Sequence, residues 1–294
     1  MQGFDLSTIS NCYIGGAQAR AIYLGSSKIW PTQHDYSQDP LTFEVLEDGQ
    51  FKFKHSSTNT SPMRYSLDNG TTWVTMEDDI LTATIPAGSK MILDCNEPSV
   101  DSTYGIGTFS STGNFNVSGN IGSLLEGYTA GGLDPDNPNS WPSLANYQFE
   151  KLFYGCTYLI SAEHLYLPKG TIIYDCYGEM FRDCTSLTTA PALPATTLAN
   201  FCYAMMFYGC TSLTTAPVLT ATTLTRACYL DMFRHCTNLN SVTCLATDIS
   251  AHNCVSNWLE DVSETGTFTK AASMNDWTTG DSGIPSGWNI INAS

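Results

Sequence analysis

Between Leu152 and Val262 apolar and polar positions recur in one fixed order. Cys176, Met180, Phe181 and Cys184 are followed by Cys202, Met206, Phe207 and Cys210, then by Cys228, Met232, Phe233 and Cys236, with 26 residues between equivalents. A constant period of this length predicts stacked units that bury their apolar faces against one another. Within a unit the offsets i, i+4, i+5 and i+8 predict one inward stripe on a short helix or helical turn. The next stretch, Leu213, Ala216 and Leu219 with interleaved Thr and with Pro217, predicts a short extended segment, and Leu224 leads back to Cys228. After Cys254, the residues Trp258, Leu259 and Val262 take the Met, Phe and second Cys positions, as expected of a degenerate unit that caps the array.

Upstream the period changes to two. Leu41–Leu46, Phe51–Lys54, Met63–Leu67, Thr72–Val74, Leu81–Ile85 and Met91–Leu93 are short runs broken by Glu47-Asp48-Gly49, Asp68-Asn69-Gly70 and Pro86-Ala87-Gly88. Such strands with regular turns predict a small β-sandwich, and Asp68-Asn69-Gly70 is the strongest hairpin signal in the chain. Before them, Tyr13–Gly16 and Ile22–Pro31 predict two short strands. Gly266–Thr269 and Trp288–Ile291 predict strands that finish the C-terminal cap. The expected fold is mixed and mostly β: a segment 1–34, a sandwich 35–122, a linker or capping loop 123–151, repeats 152–262 and a cap 263–294.

Composition narrows the function. Twelve Lys and Arg against 28 Asp and Glu leave 294 residues with a net charge of −16, which repels phosphate backbones and anionic lipid and speaks against a nucleic-acid partner. No run is long and apolar enough for membrane insertion. The start, Met1-Gln-Gly-Phe-Asp-Leu-Ser, has neither a basic region nor an apolar run, so no secretory signal is expected. Eight of the 11 cysteines, Cys156, Cys176, Cys184, Cys202, Cys210, Cys228, Cys236 and Cys254, keep the repeat register. A thiol is a small buried hydrophobe, so these are expected buried and reduced, in a chain that folds in a reducing cytosol. Cys210→Ser is then expected to cost about 1–3 kcal/mol through an unsatisfied hydroxyl.

Catalytic and metal chemistry finds no support in the residues. Gly280-Asp281-Ser282-Gly283 lacks the context of a serine-protease nucleophile, and the five histidines are scattered. The eight-residue gap between Cys176 and Cys184 is not zinc spacing. Asp134, Asp136, Asn137 and Asn139 invite a calcium reading, which two prolines and the lack of a trailing bidentate Glu weaken. The expectation is a binding or structural protein with no catalytic residue, metal or cofactor. In a stacked array the positions that vary between units face outward and serve recognition. Here Arg182-Asp183 is replaced by Tyr208-Gly209 and then by Arg234-His235, and the pairs Tyr174-Asp175, Asn200-Phe201 and Arg226-Ala227 vary likewise. Arg182, Tyr208, Arg234 and His235 are the candidate ligand-binding residues, because Arg and aromatic side chains carry binding hot spots.

The pattern Cys-x-x-Leu-x-x-Ala-Pro-x-Leu, Thr-Leu, Cys-Tyr-x-x-Met-Phe resembles the leucine-rich repeats of the BspA-like class, found on Bacteroides-type gut bacteria and in their phages. Tyr65–Trp73, Phe109–Phe115 and Gly283–Trp288 look like segments that flank such repeats. Ile22-Tyr-Leu-Gly-x-x-Lys-Ile-Trp30 is similar to a sequence that opens phage virion proteins, with Ile22, Tyr23, Leu24, Ile29 and Trp30 as its docking residues. The resemblance implies a virion fibre, spike or decoration protein. It would dock other virion proteins through its first segment and bind a host-surface glycan or protein through its repeats, and it would act as a homo-oligomer, a trimer being usual for fibres. The alternative it implies is a bacterial cell-surface adhesin.

Overall fold

The computed structural model describes residues 39–56, 62–95, 105–125, 146–167 and 172–293, together with the backbone of four short strands between residues 13 and 30. The chain forms two compact units, Met1–Asp35 and Tyr36–Ser294. It is mostly β, in several sheets of which none closes into a barrel. Among the described residues the one helical piece is a 3-10 turn, Ile121–Leu124.

In the first unit β1 (Tyr13–Ile14) pairs antiparallel with β2 (Ala17–Gln18), and β3 (Ile22–Leu24) with β4 (Ser27–Trp30). Each stretch expected to be one strand is thus a hairpin of its own. Gly15-Gly16 and Gly25-Ser26 are two-residue sequences of the kind that close tight hairpins. The residues expected to dock, Ile22, Tyr23, Leu24, Ile29 and Trp30, lie on β3 and β4, and their side chains fall outside the described part. So do Asp134, Asp136, Asn137 and Asn139 of the calcium reading.

The second unit opens with β5 (Thr42–Val45), β6 (Phe51–His55), β7 (Met63–Ser66), β8 (Val74–Thr75), β9 (Lys90–Cys95), β10 (Gly107–Ser111) and β11 (Phe115–Asn120). Alternation decides which face each strand buries: Met91, Leu93 and Cys95 of β9 point inward while Lys90, Ile92 and Asp94 do not. A six-stranded sheet has the order β12-β11-β5-β9-β7-β8, and β10 pairs with β6 separately. The Asp68-Asn69-Gly70 turn does connect β7 to β8, with Asn69 and Gly70 at positive φ.

Leu81–Ile85, expected as a strand, is not one. The amides of Asp79, Thr82 and Ile85 donate to the carbonyls of Phe53, Phe51 and Gly49. Three residues on one side therefore face two on the other, a mismatch that breaks a ladder. Phe43 of β5 lies 5.6 Å from Phe51, 5.1 Å from Phe109 and 4.7 Å from Phe115, ring centre to ring centre. The β6–β10 pair is thus joined to the large sheet through phenylalanine.

The repeats share that sheet. β12 (Leu159–Tyr166) pairs parallel with β11, so residues from both sides of the 123–151 stretch occupy neighbouring strands. Later units contribute single parallel bridges, Ser161 to Thr189, Thr215 to Ser241 and Leu219 to Cys244. The array then ends in a parallel sheet of β13 (Ser241–Cys244), β14 (Gly266–Lys270) and β15 (Trp288–Asn292). Trp258 is fully buried and stacks on Tyr229 at 6.3 Å, with its indole N–H donating to the Gly283 carbonyl at 2.8 Å.

No helix forms over the Cys, Met and Phe positions. The amides of Cys176, Gly178, Met180, Arg182 and Cys184 donate three residues back, to Ile173, Asp175, Tyr177, Glu179 and Phe181. The alternate amides of Asp175, Tyr177, Glu179, Phe181 and Asp183 donate instead to Asn200, Cys202, Ala204, Met206 and Tyr208 of the next unit. Half of the donors are thereby spent between units, where a helix would need all of them within itself. The chain runs as consecutive turns of four residues, each ending at positive φ, as at Asp175, Glu179 and Asp183 and at their equivalents Phe201, Met205 and Gly209. Over nine residues a period of four buries the same positions as the helical 3.6, so the apolar stripe was expected correctly and the backbone was not.

Cys176, Met180, Phe181 and Cys184, with all their counterparts through Cys236, are fully buried. The repeat cysteines, Cys244 included, are free thiols, and burial pushes Cys156, Cys228, Cys236 and Cys244 up to about 12. The Cys210 thiol donates to the Phe181 carbonyl at 3.1 Å, as Cys184 does to Phe153 and Cys236 to Phe207. A serine hydroxyl placed there keeps an acceptor, which removes the main reason for a large penalty. Cys210→Ser is accordingly expected to lower stability by only about 1 kcal/mol, measured by urea unfolding; a loss above about 3 kcal/mol would mean that the carbonyl does not serve the hydroxyl.

Candidate functional site

The outward positions of the four-residue turns line up between units. Tyr154, Arg182, Tyr208, Arg234 and Glu260 are equivalent, each preceding a positive-φ residue, respectively Gly155, Asp183, Gly209, His235 and Asp261. They form a ridge in which cations and rings alternate. The Arg182 guanidinium lies 5.7 Å from the Tyr154 ring and 4.5 Å from the Tyr208 ring, and the His235 ring meets Tyr208 edge-on at 5.0 Å. The structure therefore brings the four candidates onto one ridge: Arg182, Tyr208 and His235 touch in series, and Arg234 continues the row.

Acidic neighbours fix the cations. Arg182 pairs with Glu179 at 3.0 Å, Arg234 with Glu260 at 3.0 Å and Asp231 at 3.4 Å, and His235 Nδ1 lies 2.8 Å from Asp261. Carboxylates beside them hold both guanidinium groups charged against the opposing effect of burial. The Nε atoms of Arg182 and Arg234 are buried without a hydrogen-bond partner, though Arg182 Nε lies 3.5 Å from Asp183 as a looser ion pair. Of the variable positions expected to face outward, His235 is half-buried, and Gly209 and Ala227 are buried. Gly209 has a reason to be small: a Cβ on it would lie 2.4 Å from Asp183 Oδ1, at φ +71.

A second row lies at the earlier turns of the same units, at positions that were not among the candidate ligand-binding residues. Tyr147 meets Tyr174 at 5.4 Å, Tyr174 meets Phe201 at 5.5 Å, and Arg226 sits 5.9 Å over Phe201. Tyr174, Phe201 and Arg226 were legible as variable positions, but Tyr147 precedes the part of the chain where the repeat is readable. The face offers aromatic edges and guanidinium groups held in ion pairs.

Between the rows Glu150, Asp175 and Glu179 crowd around Lys151, which contacts Glu150 and lies 3.1 Å from Glu179. Burial first, then Glu150 and Glu179, raise the Asp175 carboxyl to about 7. The folded state thus holds a proton that the unfolded chain releases near its ordinary value of 3.8. This contribution is fully present below about pH 4, is lost as the pH rises to about 7, and is constant above that. Asp175→Asn, which keeps a side chain tolerant of φ +52, is expected to flatten the profile. With solvent screening allowed for, it should add roughly 1–2 kcal/mol at pH 8; equal urea midpoints for the two proteins at pH 8 would contradict it.

Among the described residues no group of His, Cys, Asp and Glu is placed to hold a metal ion, and no helix is long and apolar enough to cross a membrane. No known protein family, curated protein or solved structure matches the chain.

Proposed function

We propose that this chain is a structural protein of a phage particle, a fibre, spike or decoration protein. In this reading a β-sandwich carries a solenoid of BspA-like leucine-rich repeats, and the turn face of the repeats binds a glycan or protein on the host surface. Residues 1–34 dock other virion proteins, and no catalytic step or cofactor is involved. The observation that carries the reading is the continuity of Tyr154, Arg182, Tyr208, His235 and Arg234 along one face, since Arg and Tyr in contact concentrate binding energy. Unit-to-unit hydrogen bonds at a period of 26 support the solenoid, and the phenylalanine contacts between β5 and the β6–β10 pair support the sandwich. The buried free thiols favour assembly in a reducing cytosol, where virions are made, over a secreted cell-surface adhesin.

The test is binding to host cells. Tyr208→Ala combined with Arg234→Ala is expected to weaken binding at least about tenfold with the thermal midpoint little changed. Undiminished binding by the folded variant, or a wild-type protein that binds no host cell, removes the adhesive role. A gene neighbourhood without portal or tail genes removes the virion role.

A further inference from the structure

The last strand of the structure has an open edge with none of the usual protection. β15 (Trp288–Asn292) is the outer member of the β13-β14-β15 sheet. The Ala293 amide donates to the Lys270 carbonyl of β14 at 2.8 Å, which sets the phase of the strand. Asn289, Ile291 and Ala293 turn their backbone groups toward β14, and Ile290 and Asn292 turn theirs away. Among the described residues no backbone group pairs with those of Ile290 and Asn292.

Native sheets protect such edges by brevity, charge or proline. The opposite kind of edge is present in the same molecule: β8 has two residues and, after Met76, is followed by Glu77, Asp78 and Asp79. β15 has none of these devices. Asn289, Ile290, Ile291 and Asn292 are all exposed, with Ile290 and Ile291 both at 44%. From Ser282 to Ser294 no side chain is charged, although the side chains of the whole sum to −16. Two copies that approach edge to edge here meet at an uncharged strand, where repulsion between acidic chains is reduced.

We propose that β15 is a self-association edge, pairing antiparallel with β15 of a second copy about a two-fold axis at Ile290. Antiparallel pairing makes the edge self-complementary, as an isologous contact requires. The Ile290 N–H donates to the carbonyl of the partner's Ile290, and the Ile290 carbonyl accepts the reciprocal bond. The Asn292 N–H donates to the carbonyl of the partner's Trp288. Pairing at Ile290 also brings the two isoleucine side chains together on one face of the joined sheet, a cross-strand contact that adds to the backbone bonds. The result is one continuous sheet of β13-β14-β15 from each copy.

The inference is independent of the adhesive reading, because it uses none of the ridge residues. Pairing at one edge adds only a few backbone hydrogen bonds, so association is expected in the micromolar range, read by sedimentation velocity over a concentration series of the full chain. Wild-type protein should shift from monomer to dimer. Ile290→Pro, which removes an outward N–H and no bond to β14, and Ile290→Lys, which puts charge into the neutral strip, should both stay monomeric with unchanged thermal midpoints. Ile80→Lys, at an exposed isoleucine outside β15, should dimerise like wild type. A wild-type protein that stays monomeric throughout, a trimer, or a dimer that persists in both Ile290 variants overturns the proposal. If Ile290→Pro fails to fold, Ile290→Lys decides it alone.

Discussion

Phe207→Ala is expected to lower the unfolding free energy by about 3–5 kcal/mol. Phe207 is fully buried, and its ring lies parallel to Phe181 at 5.5 Å and to Phe233 at 5.6 Å. It is an interior member of a ladder that begins at Phe109 and passes through Phe153 at 5.9 Å and Phe181 at 5.4 Å. Removing the ring takes apolar area out of the core and leaves a cavity. The cavity term dominates when neighbours cannot move in. Here they cannot, because the backbones on both sides are tied at fixed spacing: the Phe181 amide donates to Met206 and the Phe207 amide to Met232, each at 2.9 Å. The measurement is urea unfolding followed by circular dichroism, with the slope unchanged so that the midpoint reports stability. Phe207→Leu should lose much less. A loss below about 1 kcal/mol for Phe207→Ala would show that the ladder collapses freely and is not the rigid core described.

Gly119→Ala is expected to destabilise by about 3 kcal/mol or more. Gly119 lies in β11 at φ +81, and a Cβ on it would sit 2.1 Å from the Pro40 carbonyl oxygen and 2.8 Å from its carbon. Neither atom can yield as a side chain would, because the Asn120 amide is bonded to Asp39 at 2.8 Å and holds the two backbones together. β11 also lies between β5 and β12, so any shift is felt by both the first strands and the repeats. A fall in thermal midpoint of roughly 6–12 °C is expected for a unit of this size, together with faster amide exchange in β12. An unchanged midpoint would mean that β11 has slack at this point.

The repeat was legible because each buried position is written several times in one order, so Cys, Met, Phe and Leu declare themselves core without any knowledge of the backbone. The ridge was legible for the complementary reason, since Arg182, Tyr208, Arg234 and His235 stand where the order is not kept. The backbone between these positions was hidden. A four-residue turn period and a helical one bury the same residues over nine positions, and only the transfer of alternate amides to the next unit separates them. Leu81–Ile85 failed for a related reason: alternation fixes which side chains face inward, and says nothing of a three-against-two mismatch with the neighbouring strand.

Sequence by itself determined the buried set, the period of 26, the β character of the first half and the acidic surface, because these depend on residue type and spacing alone. Tertiary structure alone decided that β11 and β12 are neighbours, that Tyr147 joins Tyr174 and Phe201, that Asp175 is held among like charges, and that β15 is left with an open edge. Each of these is a meeting of residues distant in the chain, set by how the sheets close over one another, and no local pattern encodes such a meeting.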